Sequence, residues 1–333
     1  MSRSLDIAAR RFRLAQAFTI SRGARTEAVV VEVRLSGETA TGIGECVPYA
    51  RYGESVASVT EEIEMVRGDL ETGLSREDLQ ERMAPGAARN AVDCALWDLA
   101  AKEAGCRVWE LPAYRALGGA PSPKPEITAY TLSLESPEKM RESARQHAHR
   151  PLLKIKLGGQ GDLERLKAVR EGAPEARLVI DANEGWDGPT YAAIAPELVA
   201  LGVEMVEQPL PAADDAALEG MARPLTVCAD EAAHDRTTLG ALAGKYDMIN
   251  IKLDKTGGLT EALCLRTEAE ALGLKIMVGC MVGSSLGMAP AMLVGQGAAL
   301  VDLDAPLLLA EDRDTPLVYD HQGIHPPAPA LWG

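Results

Sequence analysis

The chain has 333 residues, 47% hydrophobic and 25% charged, with a net charge of −15 and an isoelectric point near 4.9. This is a globular composition, too long for one ordinary core unless that core is a barrel, so one large and one small domain are expected. The negative charge argues against nucleic acid or an anionic membrane surface as a partner, and no apolar run is long enough to cross a bilayer.

The opening MSRSLDIAARRFRLAQAF holds no continuous apolar stretch, so no secretory signal is expected. Cys46, Cys94, Cys106, Cys228, Cys264 and Cys280 form neither a CxxC pair nor a regular framework. They read as reduced thiols of a cytosolic protein. Glu27 to Leu35 (EAVVVEVRL) alternates like a strand, and Thr41 to Cys46 gives a second. Ser21 to Thr26 (SRGART) reads as a polar, basic turn between apolar segments. Residues 55–70 and 75–83 read as helices, and Ala87 to Ala104 is a stronger one, with apolar residues at three- and four-residue spacing. Strands followed by helices make an α+β unit. The loop GGAPSPKP, Gly118 to Pro125, ends it and places the domain boundary after residue 118.

From residue 126 the rhythm changes. Short apolar runs recur at Ile127–Leu134, Leu152–Leu157, Leu178–Asn183, Val203–Gln208, Thr226–Glu231, Met248–Leu253, Lys275–Cys280 and Ala299–Asp304. Helical patterns lie between most of them, which implies a parallel sheet. Eight such runs imply closure into a (β/α)8-type barrel over residues 126–305. A short Pro-rich tail, 306–333, follows the last run, so the ring of helices is expected to be incomplete, as (β/α)7β.

In such barrels the active site lies at the C-terminal ends of the strands. Lys154 and Lys156 end the second run, two residues apart and so on one face of a strand. Desolvation and a like-charged neighbour both lower a lysine's pKa, and a lysine depressed towards neutrality can act as a base. The next runs end in Asp181, Glu207 and Asp230, and the sixth in Lys252. Singly, each has a structural explanation, such as capping the next helix. Together, three carboxylates on adjacent strands would repel unless a cation sat among them. An all-oxygen ligand set suits Mg²⁺ and argues against zinc. A cation at a substrate carboxylate stabilises the enediolate formed when an α-proton leaves, and lysines on two sides can take and return that proton.

LLKIKLGG, VIDANEGW, VEQPLP, CADEAAH and NIKLDKTGGLTEAL together resemble the enolase superfamily, in its muconate-lactonizing-type subgroup. The pairing of a lysine base with Mg²⁺ is known for that superfamily. The cap segments ISRGARTEA and CVPYARYGES, with Asp302-Leu303-Asp304 on the last strand, are similar to those of the dipeptide epimerases that act on Ala-Glu. The resemblance covers nearly the whole chain and implies an N-terminal α+β capping domain, 1–118, with the tail packing near it. It implies that Asp181, Glu207 and Asp230 bind one Mg²⁺ and that Lys156 and Lys252 are the acid/base pair. Lys154 then assists the substrate carboxylate and lowers the pKa of Lys156. Asp302 and Asp304 hold the dipeptide's ammonium, and Arg25 binds the side-chain carboxylate of the second residue, with Arg22 as rival. Thr131, Cys280 and Val282 line the barrel mouth. Lys255 is a second lysine near Lys252, but it begins a loop.

The implied activity is epimerisation of L-Ala-L-Glu and L-Ala-D-Glu in the cytosol, for recycling of cell-wall peptides. The alternatives are o-succinylbenzoate synthase or N-acylamino-acid racemase on the same scaffold, whose substrates lack the free ammonium, and a non-catalytic binding barrel. A small-molecule dipeptide is the expected partner, and homo-oligomerisation stays open.

Overall fold

The computed structural model describes residues 3–333. Strands β1 (Ser4–Ile20), β2 (Gly23–Ser36) and β3 (Thr41–Cys46) form one antiparallel sheet in that order. The sequence offers no clear signal for β1 because only Leu5 and Leu14 of it are buried. The turn expected over 21–26 is shorter: Ile20 already pairs with Gly23, leaving Ser21 and Arg22 at the tip.

The helices are α1 (Val56–Met65), α2 (Arg67–Glu71), α3 (Arg76–Arg82), α4 (Ala87–Ala104) and α5 (Pro112–Ala116). The single helix expected over 55–70 breaks at Val66, whose ψ of 5° leaves the helical range. Helix α4 packs on β3 so closely that a Cβ on Gly42 or Gly44 would lie 2.1 Å from the Ala95 or Ala91 carbonyl oxygen. On its other side Trp97, fully buried, donates to Thr260 Oγ1 at 2.9 Å. Truncating such a tryptophan to alanine costs about 3–5 kcal/mol.

The second sheet alternates with helices: β4 (Tyr130–Leu132), α6 (Pro137–Gln146), β5 (Leu152–Lys156), α7 (Asp162–Gly172), β6 (Arg177–Asp181), α8 (Gly188–Ala200), β7 (Val203–Glu207) and β8 (Thr226–Ala229). It continues through α9 (Leu239–Leu242), β9 (Met248–Ile251), α10 (Leu253–Thr256), α11 (Leu259–Ala271), β10 (Lys275–Gly279), α12 (Ser285–Val294) and β11 (Leu300–Asp302). Seven of the eight apolar runs contain one of these strands whole, and β6 begins one residue before its run, at Arg177. They pair in parallel in sequence order, β4 to β11. The Ala129 N–H donates to Val301 O at 2.8 Å beside a parallel bridge from Thr128 to Val301, bringing the first strand back to the last. The fold is an eight-stranded barrel with an N-terminal antiparallel-sheet unit.

The tail lies against that N-terminal unit. Arg313 bridges Glu32 and Glu45, at 2.6 Å each, and Trp332 donates to Cys94 O at 3.1 Å. All six cysteines are free. Among the described residues no helix is long and apolar enough to cross a membrane.

Candidate active site

The barrel interior is built in layers two residues apart, because alternate residues of a strand face the same side. The lowest layer is apolar: Leu152, Val179, Met205, Cys228, Met248, Met277 and Leu300, one from each of β5 to β11, with Ala129 just before β4. Two residues further on, the layer is polar: Thr131, Lys154, Asp181, Glu207, Asp230, Asn250, Gly279 and Asp302. Another step reaches Lys156, Asn183, Lys252, Met281 and Asp304, which line an open cavity.

Strand register sets the carboxylates side by side. Asp181 pairs with Lys156 on one side and with Glu207 on the other. One oxygen each from Asp181, Glu207 and Asp230 lies within 4.8 Å of the others. All three residues are buried. Asn250 Nδ2 donates to Glu207 Oε1 at 2.7 Å. Gly279 makes room for it, since a Cβ there would approach Asn250 Oδ1 to 2.6 Å. Period-two counting up from the apolar layer would have picked out this supporting pair.

The lysines answer the carboxylates. Lys156 Nζ is 2.5 Å from Asp181, and Lys252 Nζ is 2.6 Å from Asp230. Lys154 Nζ reaches Asp302 at 2.7 Å, Glu207 Oε2 at 2.6 Å and Asp181 at 3.3 Å. The contact with Glu207 Oε2 is an ion pair without hydrogen-bond alignment, so that buried oxygen has no hydrogen-bond donor. Burial pulls the Lys154 pKa down, but Asp302, Glu207 and Asp181 outweigh it and hold the ammonium well above its ordinary range. The same balance, with Asp230 first among the carboxylates, raises Lys252. At Lys154 and Lys252, then, the neighbouring carboxylates outweigh both burial and the like-charged neighbours.

The carboxylates show the converse. Burial, then the Asp181 charge, pushes Glu207 up to about 7 despite Lys154. Asp181 stays low, at about 2, because Lys156 and Lys154 overcome its burial. Three buried carboxylates that converge with only oxygen ligands fit a hard divalent cation such as Mg²⁺.

Backbone strain gathers here. The non-glycine residues with positive φ among those described are Asn183 (45°) and Glu184 (64°), two and three residues after Asp181, and Gln208 (36°), directly after Glu207. Such conformations persist only where surrounding contacts impose them. Arg51 contributes an ion pair to Glu184 at 2.5 Å, and the Ala212 N–H donates to the same carboxylate at 2.9 Å.

The N-terminal sheet closes over the cavity. Arg22, at the β1–β2 turn, donates to Glu231 Oε1 (2.8 Å), the Asn183 carbonyl (3.1 Å) and the Tyr49 hydroxyl (3.2 Å). Arg25 lies over the Tyr49 ring, 5.1 Å from its centroid, and lines the cavity. Thr131, Lys154, Cys280, Val282, Asp302 and Asp304 also line it. The Thr131 N–H donates to Asp304 Oδ2 at 2.6 Å, and Cys280 Sγ donates to Asp302 O at 3.3 Å. Val282 packs on the cluster of Leu14, Ala28 and Leu309. Asp302 Oδ1 is buried without a donor. Lys255 instead turns beneath the site, giving its ammonium to Asp230 and to the Asn250 carbonyl.

Residues 3–112 match the family Mandelate racemase / muconate lactonizing enzyme, N-terminal domain, and residues 138–328 match Enolase C-terminal domain-like. The chain belongs to the enolase superfamily. Among its superfamily relatives, L-Ala-D/L-Glu epimerase of Escherichia coli (strain K12) is 48% identical over 92% of this chain and 95% of its own. N-acetyl-D-glutamate racemase of Pseudoalteromonas sp. is 41% identical, over 88% and 91%. A solved enolase family member from Agrobacterium tumefaciens, with homology to dipeptide epimerases, holds sodium and L-Ala-L-Glu with an ordered loop. It is 53% identical, covers 99% of this chain and 100% of its own, and superposes with a TM-score of 0.95. Solved dipeptide epimerases at 27% to 29% identity, covering at least 97% of this chain with TM-scores of 0.88 to 0.89, are complexes with Mg and a dipeptide. For an enolase-superfamily barrel, the polar layer found here is the expected place for chemistry: the strand C-termini.

Proposed function

We propose that the protein is a Mg²⁺-dependent dipeptide epimerase that inverts the α-carbon of the C-terminal residue, with L-Ala-L-Glu and L-Ala-D-Glu as its substrate pair. One observation carries the reading. The strand order sets Lys156 on β5 and Lys252 after β9, on either side of the three strands whose ends bear the carboxylates. Both lysines line the same cavity as Asp302, Asp304 and Arg25.

Asp181, Glu207 and Asp230 would hold Mg²⁺, which when bound supplies positive charge to the substrate carboxylate as negative charge grows there. Lys156 removes the α-proton from one face and Lys252 delivers a proton to the other; the reverse reaction exchanges their tasks. Lys154 stays charged and adds its ammonium beside the substrate carboxylate. Asp302, with its donor-free oxygen, and Asp304 accept from the dipeptide's ammonium. Arg25 offers a two-pronged guanidinium to the glutamate side chain. Thr131, Cys280 and Val282 shape the wall between these groups. An N-acylated amino acid would present an amide to Asp302 and Asp304 where a cation is needed, which tells against that alternative.

The reading extends to residues 1–118 with 306–333 as the cap and 126–305 as the barrel, the cap supplying Arg25. It also places the enzyme in the cytosol, in recycling of cell-wall peptides. A net charge of −15 suits a small zwitterionic substrate better than nucleic acid or an anionic membrane surface.

The test is proton NMR of L-Ala-L-Glu with enzyme and Mg²⁺ in D₂O. Loss of the glutamate α-proton signal with growth of the second diastereomer is the expected result. Exchange without a new diastereomer would remove the two-base mechanism for this substrate. No exchange would remove the substrate.

A further inference from the structure

Gln208 follows the second carboxylate, Glu207, and is fully buried. Its φ of 36° is a left-handed conformation that non-glycine residues rarely adopt. Its backbone is tied on both sides: the N–H donates to Cys228 O (2.8 Å) and the carbonyl accepts from the Glu184 N–H (2.9 Å). The side chain then crosses to the next strand end. Oε1 accepts from the backbone N–H groups of Asp230 (2.9 Å) and Ala232 (3.1 Å). Nε2 donates to Leu210 O (2.9 Å) and to the Tyr246 hydroxyl oxygen (2.8 Å). Both acceptor sites and both donors of the amide are used.

The direction of this amide is over-determined. Backbone N–H groups only donate and the Leu210 carbonyl only accepts. The Tyr246 hydroxyl could do either, but its proton goes to Asp215 Oδ2 at 2.8 Å. Lys245 Nζ pins the other Asp215 oxygen at 2.5 Å. Burial and the Asp215 carboxylate push the Tyr246 pKa far up, so the phenol keeps that proton. Its oxygen is left to receive Gln208.

We propose that Gln208, oriented by Tyr246 and Asp215, is a positioning residue of the metal centre: it ties the strand end bearing Glu207 to the one bearing Asp230 and so sets the spacing of these two carboxylates. None of the three lines the substrate cavity. The inference deepens the Mg²⁺ reading and rests on Glu207 and Asp230 as ligands.

The test is titration of the purified full chain with Mn²⁺, read by the EPR signal of the free ion, with a thermal melt of each variant alongside. Wild type should bind one Mn²⁺. Gln208→Met keeps the side-chain length and removes its polar atoms, and should weaken Mn²⁺ binding about 10–100-fold. Tyr246→Phe keeps the ring and removes the acceptor, and should weaken it less, by about 10-fold, with Asp215→Asn weakening it to a similar extent. If Gln208→Met fails to fold, Tyr246→Phe decides. A lower melting temperature with unchanged Mn²⁺ affinity in the folded variants would overturn the proposal, leaving the relay a support of the fold alone. Absence of Mn²⁺ binding by wild type would overturn the metal reading itself and the proposal with it; that outcome is distinct, because it appears before any variant is compared.

Discussion

Arg22 Nη2 donates to Glu231 Oε1 across 2.8 Å, joining the β1–β2 turn to the residue that follows Asp230. Arg25, three residues further on, is instead stacked over Tyr49 at the cavity wall. Both arginines line the cavity, but Arg22 is already committed to the barrel through Glu231 and the Asn183 carbonyl; this difference supports the proposal that Arg25 is the one that meets the ligand.

Arg25→Ala should lower kcat/KM for L-Ala-L-Glu about 10–100-fold, the worth of a charged hydrogen bond, and spare a dipeptide with an apolar second residue. Arg22→Ala should raise KM for both substrates by a similar factor. Steady-state kinetics on the two dipeptides separates the roles. Equal losses on both from Arg25→Ala would take it out of substrate selection.

Lys156→Ala and Lys252→Ala should each cut epimerisation at least about 10²–10⁴-fold, the range of a lost acid or base. The D₂O exchange of each diastereomer, followed separately, is the measurement. Full activity in either variant would end the two-base assignment. Lys255→Met should behave differently, destabilising the fold by removing the buried partner of Asp230 and the Asn250 carbonyl.

Asp302→Asn keeps the side-chain volume and removes the charge proposed to hold the dipeptide's ammonium. Its kcat/KM should fall further on L-Ala-L-Glu than on N-acetyl-glutamate, which has no ammonium. A parallel loss on both would show that Asp302 acts chiefly by holding Lys154, its partner at 2.7 Å.

Chelation should lower the melting temperature and added Mg²⁺ should restore it. At a free concentration one hundred times the dissociation constant, a ligand bound only by the native state adds about 2.7 kcal/mol. Asp181→Asn should abolish the Mg²⁺-dependent rise in a thermal melt.

Asp254, buried beneath the cap, accepts from the Val47 N–H (3.0 Å) and Asn90 Nδ2 (2.8 Å). Burial, aided by Glu54 and Glu45, pushes it up from 3.8 to about 7 against those two donors. Between these values the folded chain holds a proton that the unfolded chain has released. Stability from this group is therefore full below about pH 4 and is lost as pH rises through about 7. Asp254→Asn removes the titration, so the variant should gain on wild type across that window, by at most about 4 kcal/mol. Melting temperatures at pH 4.5, 6 and 8 check it; a constant difference would contradict the raised pKa.

Much of this protein is legible in one dimension. Strand periodicity is a local property of the backbone, so the eight apolar runs mark the barrel strands, and ionisable residues at their ends mark the mouth. Lys154, Lys156, Asp181, Glu207, Asp230 and Lys252 follow from that reading alone. Strand β1 does not, because it buries only two of its residues and so carries almost no apolar alternation. Nor do the pairings. Lys154 with Asp302, Arg22 with Glu231 and Gln208 with Asp230 join residues between 22 and 209 positions apart. Only the closed barrel, and the cap folded across its mouth, brings them within 3 Å. Charge state and orientation depend on those short distances, since Coulomb and hydrogen-bond energies fall steeply with separation. The residue types at the site were therefore written in the chain, while the tertiary structure decided which of them neutralise, orient or leave free the others.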